Sequence, residues 1–211
     1  MTTTLILVRH GETTWHAENR YAGSSDVSLT EHGRQQARAL ADWAAGAELD
    51  ALYSSTLSRT IETALPTGTA TGLPLQTDAR LCEVDFGQGE GMTRAEMAAE
   101  FPEALDAFLA KPARSALPDG ETGVHAIERA RPALDEIVER HEGGRVLIVM
   151  HSTLLRLLLA DWLGLDPDQY RNVFPAVGNC ALNTVLVGAD GAALLGYNVP
   201  VGLAGSQRDS R

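Results

Sequence analysis

The sequence predicts an α/β fold in which a mostly parallel sheet is covered by helices on both faces. Two short apolar runs, residues 5–8 and 145–150, have the length and composition of buried central strands. Segments with helical periodicity follow both runs, and this alternation is typical of parallel sheets. A histidine, His10 or His151, follows closely after each run, and ligands of such sheets bind beyond the carboxyl ends of the strands.

The first half of the chain continues with a helix, a strand and a second helix. Thr30 is a suitable N-cap for a helix over residues 31–45, in which apolar residues recur at helical spacing. Residues 51–53 suit a short strand, and residues 57–69 have the pattern of a helix. Pro66 lies inside this second helix, so we expect a kink or an early end there.

The second half supplies the rest of the sheet and its cover. The pattern predicts helices over residues 121–141 and 153–163 and strands over residues 145–150, 181–187 and 193–197. Residues 88–120 hold two short helical patterns, and we expect a small helical lid insertion there, over the strand ends. Five apolar side chains are expected mostly to pack this lid: Met97, Phe101, Leu105, Phe108 and Leu109. The chain is thus predicted to be one domain over residues 1–200, a three-layer α/β/α sandwich, with a polar tail over residues 201–211.

The composition favours one acidic domain and limits its partners. The chain has 211 residues, 44% of them hydrophobic, which is enough for one core. Its formal charge of −11 argues against nucleic acid or an anionic membrane as the main partner. Cys82 and Cys180 lie far apart in a chain that can fold without disulfides, so we expect reduced thiols. The first residues resemble neither a signal peptide nor a membrane span, and we expect a cytoplasmic protein.

The segment Arg9-His10-Gly11 allows two interpretations. A strand end capped by a charged turn would need no function, since a single histidine is usually structural. A histidine beside an arginine at a strand's carboxyl end is also well placed for phosphate chemistry. A neutral imidazole nitrogen is a good nucleophile, and a guanidinium group neutralises phosphoryl oxygens by its fork geometry.

Two further segments carry groups that suit the same chemistry. Arg59 lies near the start of the second helix, where it either pairs with Glu62 in solvent or points to the same pocket as Arg9. Glu83 stands among apolar residues, where it is either a solvated loop acid or a partly buried general acid. Taken one at a time, these segments leave both alternatives open.

Five ordered segments of the chain belong together. They are Arg9-His10-Gly11-Glu12-Thr13; Ser28-Leu29-Thr30 with Gly33 and Gln36-Ala37; residues 54–64; Glu83-Val84-Asp85-Phe86-Gly87 with Glu90-Gly91; and His151. In this order they resemble the histidine phosphatase superfamily, also called the phosphoglycerate mutase-like family. The resemblance covers nearly the whole chain, to Asn198.

This resemblance implies a phosphohistidine mechanism that uses no metal and no cofactor. His10 matches the histidine that becomes phosphorylated, and Glu83 matches the proton donor. Arg9, Arg59 and His151 match the groups around the phosphoryl oxygens, with His151 contributing charge if it is protonated. Glu83 would protonate the leaving alkoxide as His10 attacks, and would then deprotonate the water that hydrolyses phosphohistidine.

Four other residues are expected to bind the substrate, and two of them depart from the family pattern. His16 stands where the family usually has asparagine, and it is either a ligand contact or a surface residue. Ser152 stands where glycine commonly follows the second histidine, at the start of the next helix, where its backbone N–H could face an anion. Thr13 and Arg20 complete the predicted set.

The segment around Glu83 favours a phosphatase over a mutase. Cofactor-dependent phosphoglycerate mutases of the family carry Glu-Arg-His-Tyr-Gly where this chain has Glu83-Val84-Asp85-Phe86-Gly87. The basic and phenolic groups that would hold a carboxylate-bearing substrate are missing here. We therefore predict hydrolysis of a small phosphorylated metabolite, with mutase-type transfer or a non-catalytic phosphate-binding member as alternatives. Dimers are common in the family, so a homodimer is a further expectation.

Overall fold

Six strands form one mixed sheet in the computed structural model, which describes residues 1–189 and 191–202. The strands are β1 Thr3–Arg9, β2 Ala51–Ser54, β3 Leu75–Thr77, β4 Arg145–Met150, β5 Leu182–Gly188 and β6 Gly191–Val199. They lie in the order β3-β2-β4-β1-β5-β6. The first four pair in parallel, whereas β5 is antiparallel to both of its neighbours. Five strands therefore run in one direction, which confirms the predicted mostly parallel sheet.

The helices follow the predicted order, with small changes at their ends. They are α1 Glu31–Ala44, α2 Ser58–Thr71, α3 Arg94–Glu100, α4 Pro102–Ala110, α5 Gly123–Arg140, α6 Ser152–Trp162 and α7 Tyr170–Val173. Thr30 caps α1 by accepting a hydrogen bond from the Gly33 N–H, as predicted. The early end expected at Pro66 is wrong, because α2 continues to Thr71 and stops at Gly72, where φ is +74°. The prediction missed β3 and α7, which are too short to show periodicity.

The two faces of the sheet pack against different helices because side chains alternate along each strand. Leu5 and Leu7 of β1 lie in a core cluster with residues of α5 and α6. Ile6 and Val8 lie in a second cluster with residues of α1 and α2. The sheet is therefore the middle of three layers, which confirms the α/β/α architecture.

Helices α3 and α4 lie within the predicted insertion, residues 88–120. Met97, Leu105 and Phe108 are buried in the larger core cluster, and Phe101 packs against it. Leu109 is exposed. Packing is therefore the role of most of these apolar side chains, as predicted.

No helix in the described part of the chain is long and apolar enough to cross a membrane. The predicted polar tail begins at Val201, and beyond Gly202 it lies outside the described residues.

Candidate active site

A cavity of about 680 Å³ adjoins the carboxyl ends of β1 and β4. Most of the predicted site residues line it: Arg9, His10, Thr13, His16, Arg20, Glu83 and Ser152. The other two, Arg59 and His151, are fully buried beside it. The ring centroids of His10 and His151 are 5.4 Å apart, so the two strand-end histidines are neighbours, as the parallel pairing of β1 with β4 requires.

The His10 imidazole is held with one ring nitrogen engaged and the other free to react. Its Nδ1 lies 2.7 Å from the carbonyl oxygen of Gly11, so Nδ1 carries the proton and donates it to this acceptor. Burial, reinforced by the charges of Arg9 and Arg59, lowers the pKa of His10 well below its usual value. The ring is therefore neutral at pH 7, and Nε2 keeps its lone pair for nucleophilic attack.

Arg9 is partly buried next to His10, and its guanidinium group is only partly satisfied. It donates to the carbonyl oxygen of Val177 at 2.9 Å and to His16 Nε2 at 2.7 Å. Its Nε is buried and has no hydrogen-bond partner among the described residues. Burial lowers the pKa of Arg9 to about 10, so the group is still cationic at pH 7. An unsatisfied buried donor on a cationic cavity wall is expected where an anion binds.

His16 lies in the cavity wall, against Arg9, and not on the open surface. Burial and the nearby Arg9 charge lower the pKa of His16 to about 4, so its ring is neutral at pH 7. Nε2 accepts from Arg9, and Nδ1 lies 2.8 Å from the Thr13 hydroxyl. His16 and Thr13 thus position an arginine of the site.

Arg59 points into the protein and does not pair with Glu62. Its side chain is 0% exposed, and it donates to the carbonyl oxygens of Gly23 and Ser25, both at 2.6 Å. Glu62 instead pairs with Arg34 at 3.2 Å. The solvent-pair interpretation is therefore wrong, and Arg59 fixes the loop over residues 22–25 to the start of α2.

His151 connects Arg59 to Ser55, the residue after β2. Its Nδ1 accepts a hydrogen bond from Arg59 Nε at 3.3 Å, which leaves the proton on Nε2, 2.8 Å from the Ser55 hydroxyl. Burial and the Arg59 charge lower the pKa of His151 well below its usual value. His151 is therefore neutral at pH 7, and positive charge in this part of the site comes from the arginines.

We expect the Arg59→Met variant to lose about 3 kcal/mol of unfolding free energy, because two buried carbonyl oxygens lose their donor. Urea unfolding measures this loss. The matched control is Arg38→Met, which removes an arginine that is 56% exposed and pairs with Glu31. We expect the control to change stability by less than about 0.5 kcal/mol. Equal stability of the two variants would contradict this structural role of Arg59.

Glu83 is 6% exposed, so the solvated-acid interpretation is also wrong. Its two carboxylate oxygens accept the backbone N–H groups of Thr153 and Leu154, each at 2.8 Å. These are first-turn amides of α6, so the start of this helix fixes the position of the Glu83 carboxyl group. Ser152 begins the same helix and lines the cavity, so one helix end orients both groups.

Several residues that sequence reasoning missed also line the cavity: Asn19, Tyr21, Arg94, Arg156, Tyr170 and Arg171. Arg156 could have been predicted from the sequence to lie at the cavity. It is the one charged residue between positions 152 and 160, and it follows Ser152 by one helical turn. Basic and phenolic groups are absent from the Glu83 segment, as predicted. The cavity nevertheless receives them from α3, α6 and α7.

Arg20 lines the cavity with its charge already neutralised. It pairs with Glu18 and with Glu96, each at 2.8 Å. Among the described residues, no group of three or more His, Cys, Asp or Glu side chains is arranged to hold a metal ion.

Known proteins resemble this chain over most of its length. Phosphoserine phosphatase 1 of Hydrogenobacter thermophilus is 34% identical over 166 residues, which are 79% of each chain. The probable phosphoglycerate mutase GpmB of Yersinia enterocolitica is 33% identical over 181 residues, 86% of this chain and 83% of that protein. The solved structure of a mycobacterial glucosyl-3-phosphoglycerate phosphatase in complex with VO3 superposes with a TM-score of 0.85. It is 29% identical, and the match covers 93% of this chain and 99% of that one.

The family assignment follows from the sequence as well as from the fold. A sequence model of the histidine phosphatase superfamily (branch 1) matches residues 5–200. This range includes all five segments that carried the resemblance, from Arg9 to His151. The chain therefore belongs to the histidine phosphatase superfamily.

Proposed function

We propose that His10 of this phosphatase attacks a small phosphomonoester and forms a phosphohistidine intermediate. One observation carries the proposal. His10 is a neutral histidine with Nδ1 bound to a backbone carbonyl, so Nε2 is the nucleophile in a cavity that also contains Glu83. Arg9 on the cavity wall supports binding of the phosphoryl oxygens, and the buried charge of Arg59 beside the cavity supports their stabilisation.

The reaction has two displacement steps at phosphorus. In the first, His10 Nε2 bonds to phosphorus while the ester P–O bond breaks, and Glu83 gives its proton to the leaving alkoxide. In the second, water attacks the phosphorus of phosphohistidine while Glu83 accepts a proton from that water. The P–N bond then breaks, and inorganic phosphate and neutral His10 are released. Water is the proposed acceptor because one sequence relative is named as a phosphoserine phosphatase and one similar structure as a glucosyl-3-phosphoglycerate phosphatase.

Mutase-type transfer is the second candidate, because a relative is named as a probable phosphoglycerate mutase. A panel of phosphomonoesters that includes 3-phosphoglycerate, with and without its bisphosphate, separates the two reactions. We expect phosphate release without formation of 2-phosphoglycerate, and we expect it in EDTA because the proposed steps use only side chains and water. Isomerisation faster than phosphate release would support the mutase, and no turnover of any ester would support a non-catalytic binding member.

We further propose that residues 88–120 act as a lid of a single catalytic domain over residues 1–200. Thr93, the N-cap of α3, and Arg94, its first residue, line the cavity. The guanidinium group of Arg94 donates to the Tyr21 hydroxyl at 3.2 Å, which ties the insertion to the segment between β1 and α1.

A cytoplasmic location is also a proposal. Both cysteines are free thiols, and Cys180 is buried. Burial raises the pKa of the Cys180 thiol to about 12, which keeps it protonated and unreactive. Free thiols support a reducing compartment. The expected homodimer stays a prediction.

A further inference from the structure

Two arginines flank one tyrosine on the cavity wall. Arg156 belongs to α6 and Arg171 to α7, and their guanidinium carbons lie 4.9 Å and 5.4 Å from the centre of the Tyr170 ring. Arg171 also lies 4.6 Å from the ring centre of Phe108, which belongs to α4. Arg156, Tyr170 and Arg171 all line the cavity that contains His10. Stacking on aromatic rings therefore fixes both cations at the cavity.

Neither arginine has a carboxylate partner among the described residues. Arg171 donates from Nε to the Tyr170 hydroxyl at 2.9 Å. Arg156 donates to the backbone carbonyl oxygens of Ser152 and Phe174. By contrast, Arg20 of the same cavity pairs with two acids. Two half-buried like charges against one ring repel each other, and this repulsion remains until an anion binds between them or beside them.

We propose that Arg156 and Arg171 form a second anion subsite, so that the substrate is a phosphomonoester whose alcohol portion carries another anionic group. The inference rests on the proposed function, in which Arg9 and Arg59 serve the reacting phosphoryl group. Planar guanidinium groups bind carboxylate or phosphate oxygens through paired N–H donors. A cavity of about 680 Å³ is larger than one phosphoryl group requires, so it has room for both anionic ends of such a substrate.

Tyr170 adds a hydrogen-bond donor to this subsite. Burial raises the pKa of the Tyr170 phenol above its usual value, so the hydroxyl keeps its proton at pH 7. The hydroxyl oxygen accepts from Arg171, and in the proposed complex its O–H donates to the bound oxyanion. Two cations and one neutral donor would thus face the second anionic group.

Matched pairs of substrates test the proposal. 3-Phosphoglycerate is compared with glycerol 3-phosphate, and fructose 1,6-bisphosphate with fructose 6-phosphate. We expect kcat/KM to favour the member with the additional anionic group by about tenfold or more in at least one pair. The first pair identifies a carboxylate and the second a phosphate as the preferred group. Ratios near one in both pairs would overturn the proposal.

Variants assign the preference to these two residues. In Arg156→Gln and Arg171→Gln, the ratio of kcat/KM values within a substrate pair should fall towards one. Arg171→Lys keeps the charge but loses the planar guanidinium group, so it should retain part of the preference. The control Arg38→Gln removes an exposed charge of α1 and should keep the wild-type ratio. A general loss of folding lowers kcat/KM equally for both substrates of a pair, so it leaves their ratio unchanged. A ratio that is unchanged in both glutamine variants would overturn the assignment.

Failure of this inference can be distinguished from failure of the proposed function. p-Nitrophenyl phosphate has no second anionic group, and its turnover should still label His10 with acid-labile phosphate. Labelling of His10 together with substrate ratios near one would reject the second subsite alone. Absence of labelling would reject the phosphohistidine mechanism, whatever the substrate ratios are.

Discussion

His10→Ala is expected to lower turnover of every phosphomonoester on the order of 10⁴-fold and to abolish acid-labile phosphate on the chain. The variant removes Nε2, the one ring nitrogen that the Gly11 carbonyl leaves free. The neighbouring His151 cannot take its place, because both of its ring nitrogens are engaged, by Arg59 and by Ser55. Acid quench after mixing with radiolabelled phosphomonoester measures the intermediate, and phosphate release measures turnover.

The matched control for this experiment is His125→Ala. The His125 side chain is 72% exposed on α5, outside the cavity of His10. This control should keep wild-type turnover and wild-type labelling. If His10→Ala retains more than about a tenth of wild-type turnover, His10 is not the nucleophile.

The main strands of the site could be predicted because their signals are local. Two apolar runs predict buried strands from their own composition, and the histidine close after each run must then lie at the same edge of a parallel sheet. His10 and His151 are 141 positions apart in the chain, yet the strand pattern alone brings them together. The N-cap of α1 and the extent of α6, to within one residue at each end, follow from local pattern in the same way.

The partners of the buried charges could not be predicted, because they come from remote segments. Arg59 donates to loop carbonyl oxygens 34 and 36 positions earlier. Every residue has a backbone carbonyl, so the sequence does not show which one is the acceptor. Glu83 accepts from amides 70 and 71 positions later, at the start of α6. Glu62, by contrast, was an obvious local partner for Arg59. Burial of the guanidinium group overrode that local pattern.

The basic and phenolic groups that α6 and α7 bring to the cavity were not predicted, for a different reason. The mutases of the family carry basic and phenolic groups in the segment after Glu83, and this chain lacks them there. In this chain such groups come from α6 and α7, through Arg156, Tyr170 and Arg171. α7 has four residues and no periodicity, so its existence and its position over the cavity depend on tertiary packing.

Glu83→Gln should slow esters of alkyl alcohols by about 10²–10³-fold and p-nitrophenyl phosphate by less than about tenfold. An alkoxide is a poor leaving group that needs a proton, whereas p-nitrophenolate leaves without one. Steady-state kcat/KM for glycerol 3-phosphate and p-nitrophenyl phosphate measures the two losses on the same preparation. The ratio of the losses therefore reports proton donation and is independent of the folded fraction.

The ratio of the two losses in kcat/KM is needed because glutamine does not reproduce the contacts of the Glu83 carboxylate. Both carboxylate oxygens of Glu83 accept backbone N–H groups, one from Thr153 and one from Leu154. A glutamine amide has one oxygen, so its NH₂ group would face one of these donors at a cost of about 1–3 kcal/mol. The control Asp85→Asn removes a nearby acid that accepts from the Gly87 N–H and lies outside the cavity lining, and it should show no dependence on the leaving group. Equal losses on both esters in Glu83→Gln would mean that Glu83 supports the start of α6 without donating the proton.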